Sequence, residues 1–226
     1  PAILTIDPSS HLSGGSILGD RTRMEQLSKH PDAYIRQSPS ANFLGGVSRR
    51  TRETIMICEA AGFDITLIET VGVGQSEYLA ADLSDIFTLL IQPGSGDDLQ
   101  GVKKGVMEMA DVLVVTKDDG ELVKSARTSK RHLKSAINIL RPKAHGLGRE
   151  VLSVSALENI GFETYWNVIS GLHNELARSG QLIERRRAQQ ASWLKDVIDE
   201  LWLDHLHNDS QTANEIIKAL EAIRKG

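Results

Sequence analysis

The chain has 226 residues with 26 basic and 30 acidic side chains, so its formal net charge is −4. That length suffices for one generous domain, or for a domain with an appendage, around a real hydrophobic core. The small negative charge predicts neither a nucleic-acid nor a membrane partner. No apolar run approaches the roughly 18 residues of a membrane span, and no signal peptide is visible, so we expect a cytoplasmic location.

The first residues already have a strand pattern. Pro1 stands where an initiator methionine is usual, and residues 2–6 form an apolar run of strand length. We therefore expect the chain to be a fragment of a longer protein. The single cysteine, Cys58, lies in an apolar helix-like run, which favours buried packing over a nucleophilic role. The seven histidines show no metal-binding spacing with it.

Short apolar strands alternate with helices as far as Gly161. The predicted strands cover residues 2–6, 34–36, 65–69, 86–91, 112–115 and 151–154. The predicted helices cover residues 20–30, with Asp20 as its cap, 47–61, 75–83, 99–109 and 121–140, while 38–46 and 93–98 read as loops. Because several strands lack a polar face, this order predicts an α/β fold with a doubly wound, mostly parallel sheet covered on both sides.

Beyond Gly161 the pattern is helical with no further strand. We expect residues 1–178 to form the α/β domain and residues 179–226 a helical extension. An apolar stripe recurs there at helical spacing and needs a cover from this domain or a second subunit; its residues are Leu194, Val197, Ile198, Leu201, Trp202 and Leu206. The basic run 185–187 is expected on a solvated helix face.

A glycine-rich turn follows the third predicted strand. Glu69 ends the strand, and Gly72 and Gly74 follow it before the next helix. Such a turn places a carboxylate and free backbone N–H groups at the sheet edge where nucleotides bind in open α/β sheets. On this stretch alone, an ordinary strand-to-helix connection remains an equal alternative.

Polar turns follow four of the strands, and a parallel sheet brings such turns to one edge. They begin at Asp7, Glu69, Thr116 and Ser155. The turn 116–119 resembles the Asn-Lys-x-Asp guanine-recognition motif of GTPases, with threonine in place of asparagine. A carboxylate at Asp119 can accept hydrogen bonds from N1–H and the exocyclic amine of guanine, a pair that adenine does not offer.

Lys117 and the turn after the last strand also resemble parts of guanine-binding sites. Lys117 would lay its aliphatic stem along the base. The turn Ser155-Ala156-Leu157 resembles the Ser-Ala-Lys turn whose backbone N–H meets the guanine carbonyl oxygen.

Four stretches together resemble the MeaB/ArgK family of P-loop GTPases, which includes the chaperones of adenosylcobalamin-dependent acyl-CoA mutases such as methylmalonyl-CoA mutase. They are Asp7-Pro8-Ser9-Ser10, the glycine-rich segment 14–20, the turn 69–77 and the segment 98–105. The resemblance covers essentially the whole chain and is weaker in about the last forty residues. It implies GTP or GDP as the bound nucleotide, Mg²⁺, a homodimer formed through the C-terminal helices, and a mutase partner.

The resemblance also implies roles for individual residues. Those expected near the γ-phosphate are Glu69, Gly72 and Gln75, and those expected near Mg²⁺ are Asp7, Asp20 and Glu69. The nucleotide would contact Thr116, Lys117, Asp119, Ser155, Ala156 and Leu157. A switch that relays nucleotide state to the mutase would lie within residues 93–104 and include Gly94, Asp97, Gln100, Lys103 and Lys104. Phosphoryl transfer suits this set, since it requires mainly positioning and electrostatic stabilisation.

Several of these residues also have ordinary structural interpretations. Asp119 could cap a helix, Glu69 could be a carboxylate satisfied by loop N–H groups, and Asp7 could belong to a simple Asp-Pro turn. Capping or surface hydrogen bonding is the favoured interpretation of Gln75. A lysine pair such as 103–104 at the start of a helix is most often solvated.

The sequence departs from the family pattern in two places. No Gly-x-x-x-x-Gly-Lys-Ser/Thr phosphate loop occurs in the 226 residues, so the chain alone should bind GTP poorly and hydrolyse it hardly at all. Thr116 lacks the amide that normally contacts the base edge, which should weaken guanine selectivity without abolishing it. Two other hypotheses stay open: a non-catalytic module that docks on the partner, and a nickel-type metallochaperone GTPase, disfavoured because no Cys/His cluster exists.

Overall fold

The computed structural model of the chain describes residues 1–8, 24–40, 44–70, 76–94, 104–138, 149–209, 212 and 218. The described strands are β1 (Ala2–Pro8), β2 (Tyr34–Ser40), β3 (Thr66–Thr70), β4 (Thr88–Ile91), β5 (Val112–Val115) and β6 (Glu150–Ser153). The described helices are α1 (Glu25–Ser28), α2 (Leu44–Ala60), α3 (Ser76–Leu83), α4 (Lys104–Met109), α5 (Val123–Ile137), α6 (Phe162–Arg178) and α7 (Gln181–Asn208). A 3₁₀ turn, Gly120–Leu122, precedes α5.

The described strands form two three-stranded sheets, and every pair within them is parallel. The strand orders are β2-β1-β3 and β4-β5-β6. In the second sheet Val115 lies opposite both Ile91 and Ser153. The carboxyl ends of β4, β5 and β6 therefore share one edge, which confirms the predicted α/β class with parallel strands and a helical C-terminal part.

Strand β5 is the centre of the larger core because all four of its residues are buried. One face of its sheet packs against residues of α3, α4 and α5, namely Ala80, Val106, Met107, Ala126 and Leu133. The other face packs against α6, through Tyr165, Val168, Ile169 and Leu172. Helices thus cover both faces of this sheet, as a buried parallel sheet requires.

The first sheet packs against α2. Ala2 and Leu4 of β1 form a cluster with Cys58, which is 2% exposed. Burial raises the pKa of the Cys58 thiol, and the nearby Arg36 opposes that shift. The prediction of buried packing for Cys58 is confirmed.

Two expectations about the strands are wrong. The segment 38–40, predicted as loop, is the end of β2 and pairs with residues 6–8 of β1. Pro39 is tolerated because β2 is an edge strand, where a missing N–H donor does not break a ladder on both sides. The expected burial of β3 and β4 also fails at single positions, since Leu67 is 52% and Leu90 is 64% exposed although helices pack on both faces of the second sheet.

Several helix boundaries differ from those predicted. Helix α2 begins at Leu44, so it includes two glycines that were expected in the preceding loop. Helix α1 covers Glu25–Ser28 and α4 covers Lys104–Met109. The remaining parts of the predicted helices 20–30 and 99–109, including the Asp20 cap, lie partly outside the described residues.

The basic run on α7 is not the solvated face that we expected. The Arg185 guanidinium lies 3.2 Å from the carboxylate of Asp111, which is 1% exposed, and also donates to the backbone carbonyl of Asp85. Arg186 pairs with the Asp85 carboxylate at 2.6 Å and with Glu59 at 3.1 Å. The expectation holds only for Arg187, which is exposed. Helical spacing alone does not show which surface the basic face meets.

A second set of contacts continues this attachment along α7. The Arg52 guanidinium of α2 lies 5.7 Å from the centre of the Trp193 ring and donates to the Asp82 carbonyl at 3.1 Å. Burial lowers the pKa of Arg52, which Asp82 and Asp196 oppose. Gln189 donates to the Ser84 carbonyl at 2.9 Å. The first half of α7 is therefore docked on α2 and on the segment that joins α3 to β4.

We predict that Arg185→Met lowers the free energy of unfolding by about 2 kcal/mol, because the buried Asp111 carboxylate loses a charged partner. Arg187→Met is the matched control, since it removes the same charge from an exposed neighbouring position. Urea unfolding followed by circular dichroism measures both. Equal midpoints for the two variants would contradict a stabilising attachment of α7.

Candidate nucleotide-base site

Two turns leave neighbouring strands side by side at the carboxyl edge of the second sheet. The first, 116–119, follows β5, and the second, 155–157, follows β6. Backbone bonds continue beyond the strands, because the Val154 N–H donates to the Val115 carbonyl at 2.9 Å and the Asp118 N–H donates to the Val154 carbonyl at 3.1 Å. The spacing of the two turns is thus set by the sheet.

A hydrogen bond joins the two turns directly. The Ser155 hydroxyl donates to Oδ2 of Asp119 at 2.5 Å and accepts the Glu158 N–H at 3.0 Å. Ser155 is fully buried, whereas Asp119 is half-buried. Within the described part of the chain, Oδ1 of Asp119 accepts no hydrogen bond. One carboxylate oxygen is therefore fixed, and the other is available to a ligand.

Helix capping does not explain Asp119. The residue precedes the 3₁₀ turn at its N-cap position, with extended backbone angles, yet its side chain makes no capping hydrogen bond. Its carboxylate turns to Ser155 instead. The geometry is that of an oriented acceptor at a sheet edge.

The beginning of the first turn is held against β4. The N–H and the hydroxyl of Thr116 both donate to the Ile91 carbonyl, at 2.9 and 3.3 Å. The next residue, Lys117, has a φ of 56° and an exposed side chain. A positive φ is uncommon for a residue other than glycine, so the turn is held in an unusual conformation by its neighbours.

The second turn presents backbone donors. Ala156 and Leu157 are exposed, and within the described residues neither N–H group donates to a protein acceptor. A pair of backbone bonds between Ser155 and Ile160 closes the loop behind them. Gly161 completes it with a φ of 85°, and a Cβ there would lie 2.4 Å from the Ser153 carbonyl oxygen, so only glycine fits.

Glu69, predicted near the γ-phosphate and Mg²⁺, lies on the other sheet. It is an exposed residue of β3 that lies opposite Thr5 of β1, which in turn lies opposite Gln37 of β2. In-register residues of parallel strands share a face, so the three form a polar row. Thr5 Oγ1 and Gln37 Nε2 are buried without a hydrogen-bond partner in the described structure. Sequence reasoning missed this row, because residues 2–6 read as one apolar run and the pairing between strands is not visible in it.

The other predicted residues are less fully described. Asp7 lies in β1 opposite Pro39, with only its backbone described, and Lys104 is the first residue of α4. Gly94 follows β4 with a φ of 74°, and a Cβ there would meet the Ser125 hydroxyl at 3.2 Å. The predicted residues outside the described part are Asp20, Gly72, Gln75, Asp97, Gln100 and Lys103.

The hydrogen-bonding groups at the two turns suit one edge of a guanine base: the Asp119 carboxylate can accept from its N–H donors, and backbone N–H groups can donate to its carbonyl oxygen. The described part of the chain contains no group of three His, Cys, Asp or Glu residues that could hold a metal ion. None of the described helices is both long and apolar enough to cross a membrane.

Parallel sheets with a helical C-terminal part, and polar turns at the carboxyl edge of one sheet, are typical of α/β nucleotide-binding proteins. A solved structure described as a crystal structure of LAO/AO transport system kinase matches with a TM-score of 0.73 and 34% sequence identity, over 99% of this chain and 66% of that chain. The model of the family "Methylmalonyl Co-A mutase-associated GTPase MeaB" matches residues 1–211. The chain therefore belongs to the MeaB family.

Curated relatives agree with this assignment. A probable GTPase of Mycobacterium tuberculosis is 46% identical over 220 residues, which are 97% of this chain and 65% of that protein. The GTPase ArgK of Escherichia coli is 45% identical over 91% of this chain and 62% of its own length. The mouse protein "Methylmalonic aciduria type A homolog, mitochondrial" is 43% identical over 95% of this chain and 52% of its own length. The chain thus spans about half to two thirds of these relatives.

We predict that Ser155→Ala lowers the free energy of unfolding by about 1–3 kcal/mol, because it removes a hydroxyl that bonds a carboxylate and a backbone N–H. Ser153→Ala, two residues earlier, removes a hydroxyl with a single 3.3 Å bond from Lys130 and should cost at most about 1 kcal/mol. Urea unfolding measures the difference, and amide exchange at Glu158 should accelerate only in Ser155→Ala. Unchanged exchange there would refute the bracing role of Ser155.

Proposed function

We propose that the chain is the base-reading part of a GTPase that acts as a chaperone for an adenosylcobalamin-dependent acyl-CoA mutase. The observation that carries the proposal is Asp119, whose Oδ2 is fixed by Ser155 while Oδ1 is left for a ligand. Membership of a family of mutase-associated GTPases supports both the GTPase activity and the mutase partner that we propose.

Guanine is the base that suits this arrangement. Its N1–H and exocyclic amine donate to a carboxylate, and its carbonyl oxygen accepts from N–H groups such as those of Ala156 and Leu157. Adenine reverses this pattern at N1 and at the exocyclic position, so it would face Asp119 with an acceptor. Burial of Ser155 keeps the carboxylate in place, which favours selective binding over a flexible surface contact.

For hydrolysis we propose that Glu69, Gly72 and Gln75 lie near the γ-phosphate, with Mg²⁺ held near Asp7, Asp20 and Glu69. The 226 residues contain no phosphate-loop motif. Strands β3 and β4 each pair on one side only among the described strands, and Leu67 and Leu90 on them are exposed. These edges give room for a further parallel strand, and with it a phosphate loop, supplied by a segment outside this sequence.

A contact between two helices supports a relay from nucleotide to partner. Helix α3 follows the glycine-rich turn, and α4 begins at Lys104, the last residue of the proposed switch that also includes Gly94, Asp97, Gln100 and Lys103. The helices meet so closely that a Cβ on Gly105 would lie 2.6 Å from the Tyr78 hydroxyl oxygen. Arg149 bonds the Glu108 and Ala110 carbonyls at the end of α4, at 2.7 and 3.2 Å. A shift of the turn would thus move the switch, and so bias cofactor loading or protection of the mutase.

The distal half of α7 is the proposed dimer interface, within a helical arm of residues 179–226. Its apolar side chains are solvent-exposed in the single chain: Leu194, Ile198, Leu201, Trp202, Leu203 and Leu206. A contiguous apolar surface of this kind needs a cover, and a second copy supplies one with the same stripe. The cytoplasmic location expected from the sequence stays a prediction.

A non-catalytic module that docks on the mutase remains the second candidate, because the phosphate-loop motif is absent from these 226 residues. Titrating the chain, and an N-terminally extended version encoded by the same gene, with GTP and Mg²⁺ separates the two. Tight binding and hydrolysis by the extended version alone would support the GTPase. Equal, weak binding by both would favour the docking module.

We predict that Asp119→Asn weakens GTP binding by about tenfold or more and strengthens XTP binding, because the new amide donates where the carboxylate accepted. Asp118→Asn is the matched control at the neighbouring half-buried position. Displacement of a fluorescent nucleotide from the extended protein measures both. An unchanged ratio of GTP to XTP affinity in Asp119→Asn would exclude Asp119 as the base reader.

We predict that Trp202→Glu yields monomers, because it places a charge on the exposed apolar stripe. Asp204→Lys, a charge change at an exposed position about 200° around the same helix from Trp202, should leave the dimer intact. Light scattering after size exclusion determines the masses. A dimer that survives Trp202→Glu at micromolar concentration would place the interface elsewhere.

A further inference from the structure

We propose that this chain reads guanine without a hydrogen bond to N7, so that guanine nucleotides with carbon in place of N7 bind as tightly as the natural ones. The inference rests on the proposed base-reading function and specifies which nucleotides the site accepts. It is carried by the position of the Thr116 side chain.

Guanine offers two different edges to a protein. The Watson–Crick edge carries the N1–H and amine donors, which the free oxygen of Asp119 suits. The other edge carries two acceptors, O6 and N7, so reading it requires hydrogen-bond donors. The N–H groups of Ala156 and Leu157, which donate to no acceptor among the described residues, are donors on the β6 side of the turn and suit O6. A contact to N7 needs one further donor, and position 116 is the candidate because the guanine-recognition motif that residues 116–119 resemble carries an amide there.

The side chain of Thr116 is engaged in another contact and does not donate toward the base. Its hydroxyl donates to the Ile91 carbonyl on the β4 side, and its N–H donates to the same oxygen. Ser155, which orients Asp119, lies on the opposite side, because β5 separates β4 from β6. Two donors of Thr116 thus converge on β4, and its side chain is half-buried there.

The short side chain of Thr116 is a second reason why it does not reach N7. The threonine oxygen is attached directly to Cβ, whereas the nitrogen of an asparagine amide is one bond further out and carries two hydrogens. Releasing the hydroxyl from Ile91 would therefore still leave it shorter than an amide at the same position. Lys117 has an exposed side chain whose proposed contact is through its aliphatic stem to the face of the base, not to the N7 edge.

The test compares the dissociation constants of GTP and 7-deaza-GTP for the extended protein and for two variants. We expect a ratio within about twofold for the natural chain. Thr116→Val, which keeps the shape and removes the hydroxyl, should keep that ratio even if both constants rise together. Thr116→Asn should bring a preference for GTP of about fivefold, the usual worth of one added hydrogen bond.

Two results would overturn the inference. A preference for GTP of fivefold or more in the natural chain that disappears in Thr116→Val would show that the hydroxyl reads N7. The same preference persisting in Thr116→Val would show that another donor reads it.

ITP, which lacks the exocyclic amine, separates this inference from the proposed function. Binding weaker than that of GTP by about tenfold is expected from the loss of one bond to a carboxylate. Because ITP keeps N1–H, ITP binding as tight as that of GTP would refute only the amine contact to Asp119, whereas ATP binding as tight as that of GTP would refute base reading by Asp119, and the N7 inference with it. Weak ITP binding together with a strong preference for GTP over 7-deaza-GTP would refute the N7 inference alone.

Discussion

Parallel pairing of β5 with β4 and β6 is the constraint on which the candidate site depends. Val115 lies between Ile91 and Ser153, so the residues that follow each strand emerge at one edge in a fixed order. Thr116 consequently meets the end of β4, and Asp119 meets Ser155 beyond β6. Strand β5 pairs on both sides, so its register is tied to β4 and to β6 at the same time.

The C-terminal helices are more closely tied to the nucleotide-binding part than a separate arm would be. Arg185 reaches Asp111 immediately before β5, and Arg186 and Gln189 hold the segment that joins α3 to β4. Because α3 follows the glycine-rich turn, a movement of that turn would also displace the residues that contact the first half of α7. The distal, apolar half of the same helix is exposed. One continuous helix therefore carries both the contacts to the α3–β4 segment and the proposed dimer interface.

The sequence predicted best the elements whose residues are all apolar. Strand β5 was placed to the residue because four consecutive apolar residues fit a buried strand. The end of β2 was missed because Ser38, Pro39 and Ser40 have loop propensity, and pairing with β1 overrides it. The bond between Ser155 and Asp119 joins residues 36 apart, and the ion pair of Arg185 joins residues 74 apart, so no local pattern shows either. Motif order identified the turns, and only the fold showed which atoms remain free.

The central claim is that the two turns after β5 and β6 bind a guanine base. Amide chemical shifts of the isotope-labelled, N-terminally extended protein, followed during titration with GDP and separately with ADP, test it most directly. The account predicts that GDP shifts the amides of Asp119, Ala156 and Leu157, while ADP at the same concentration leaves them in place. Equal shifts with both nucleotides, or GDP shifts confined to other residues, would contradict it.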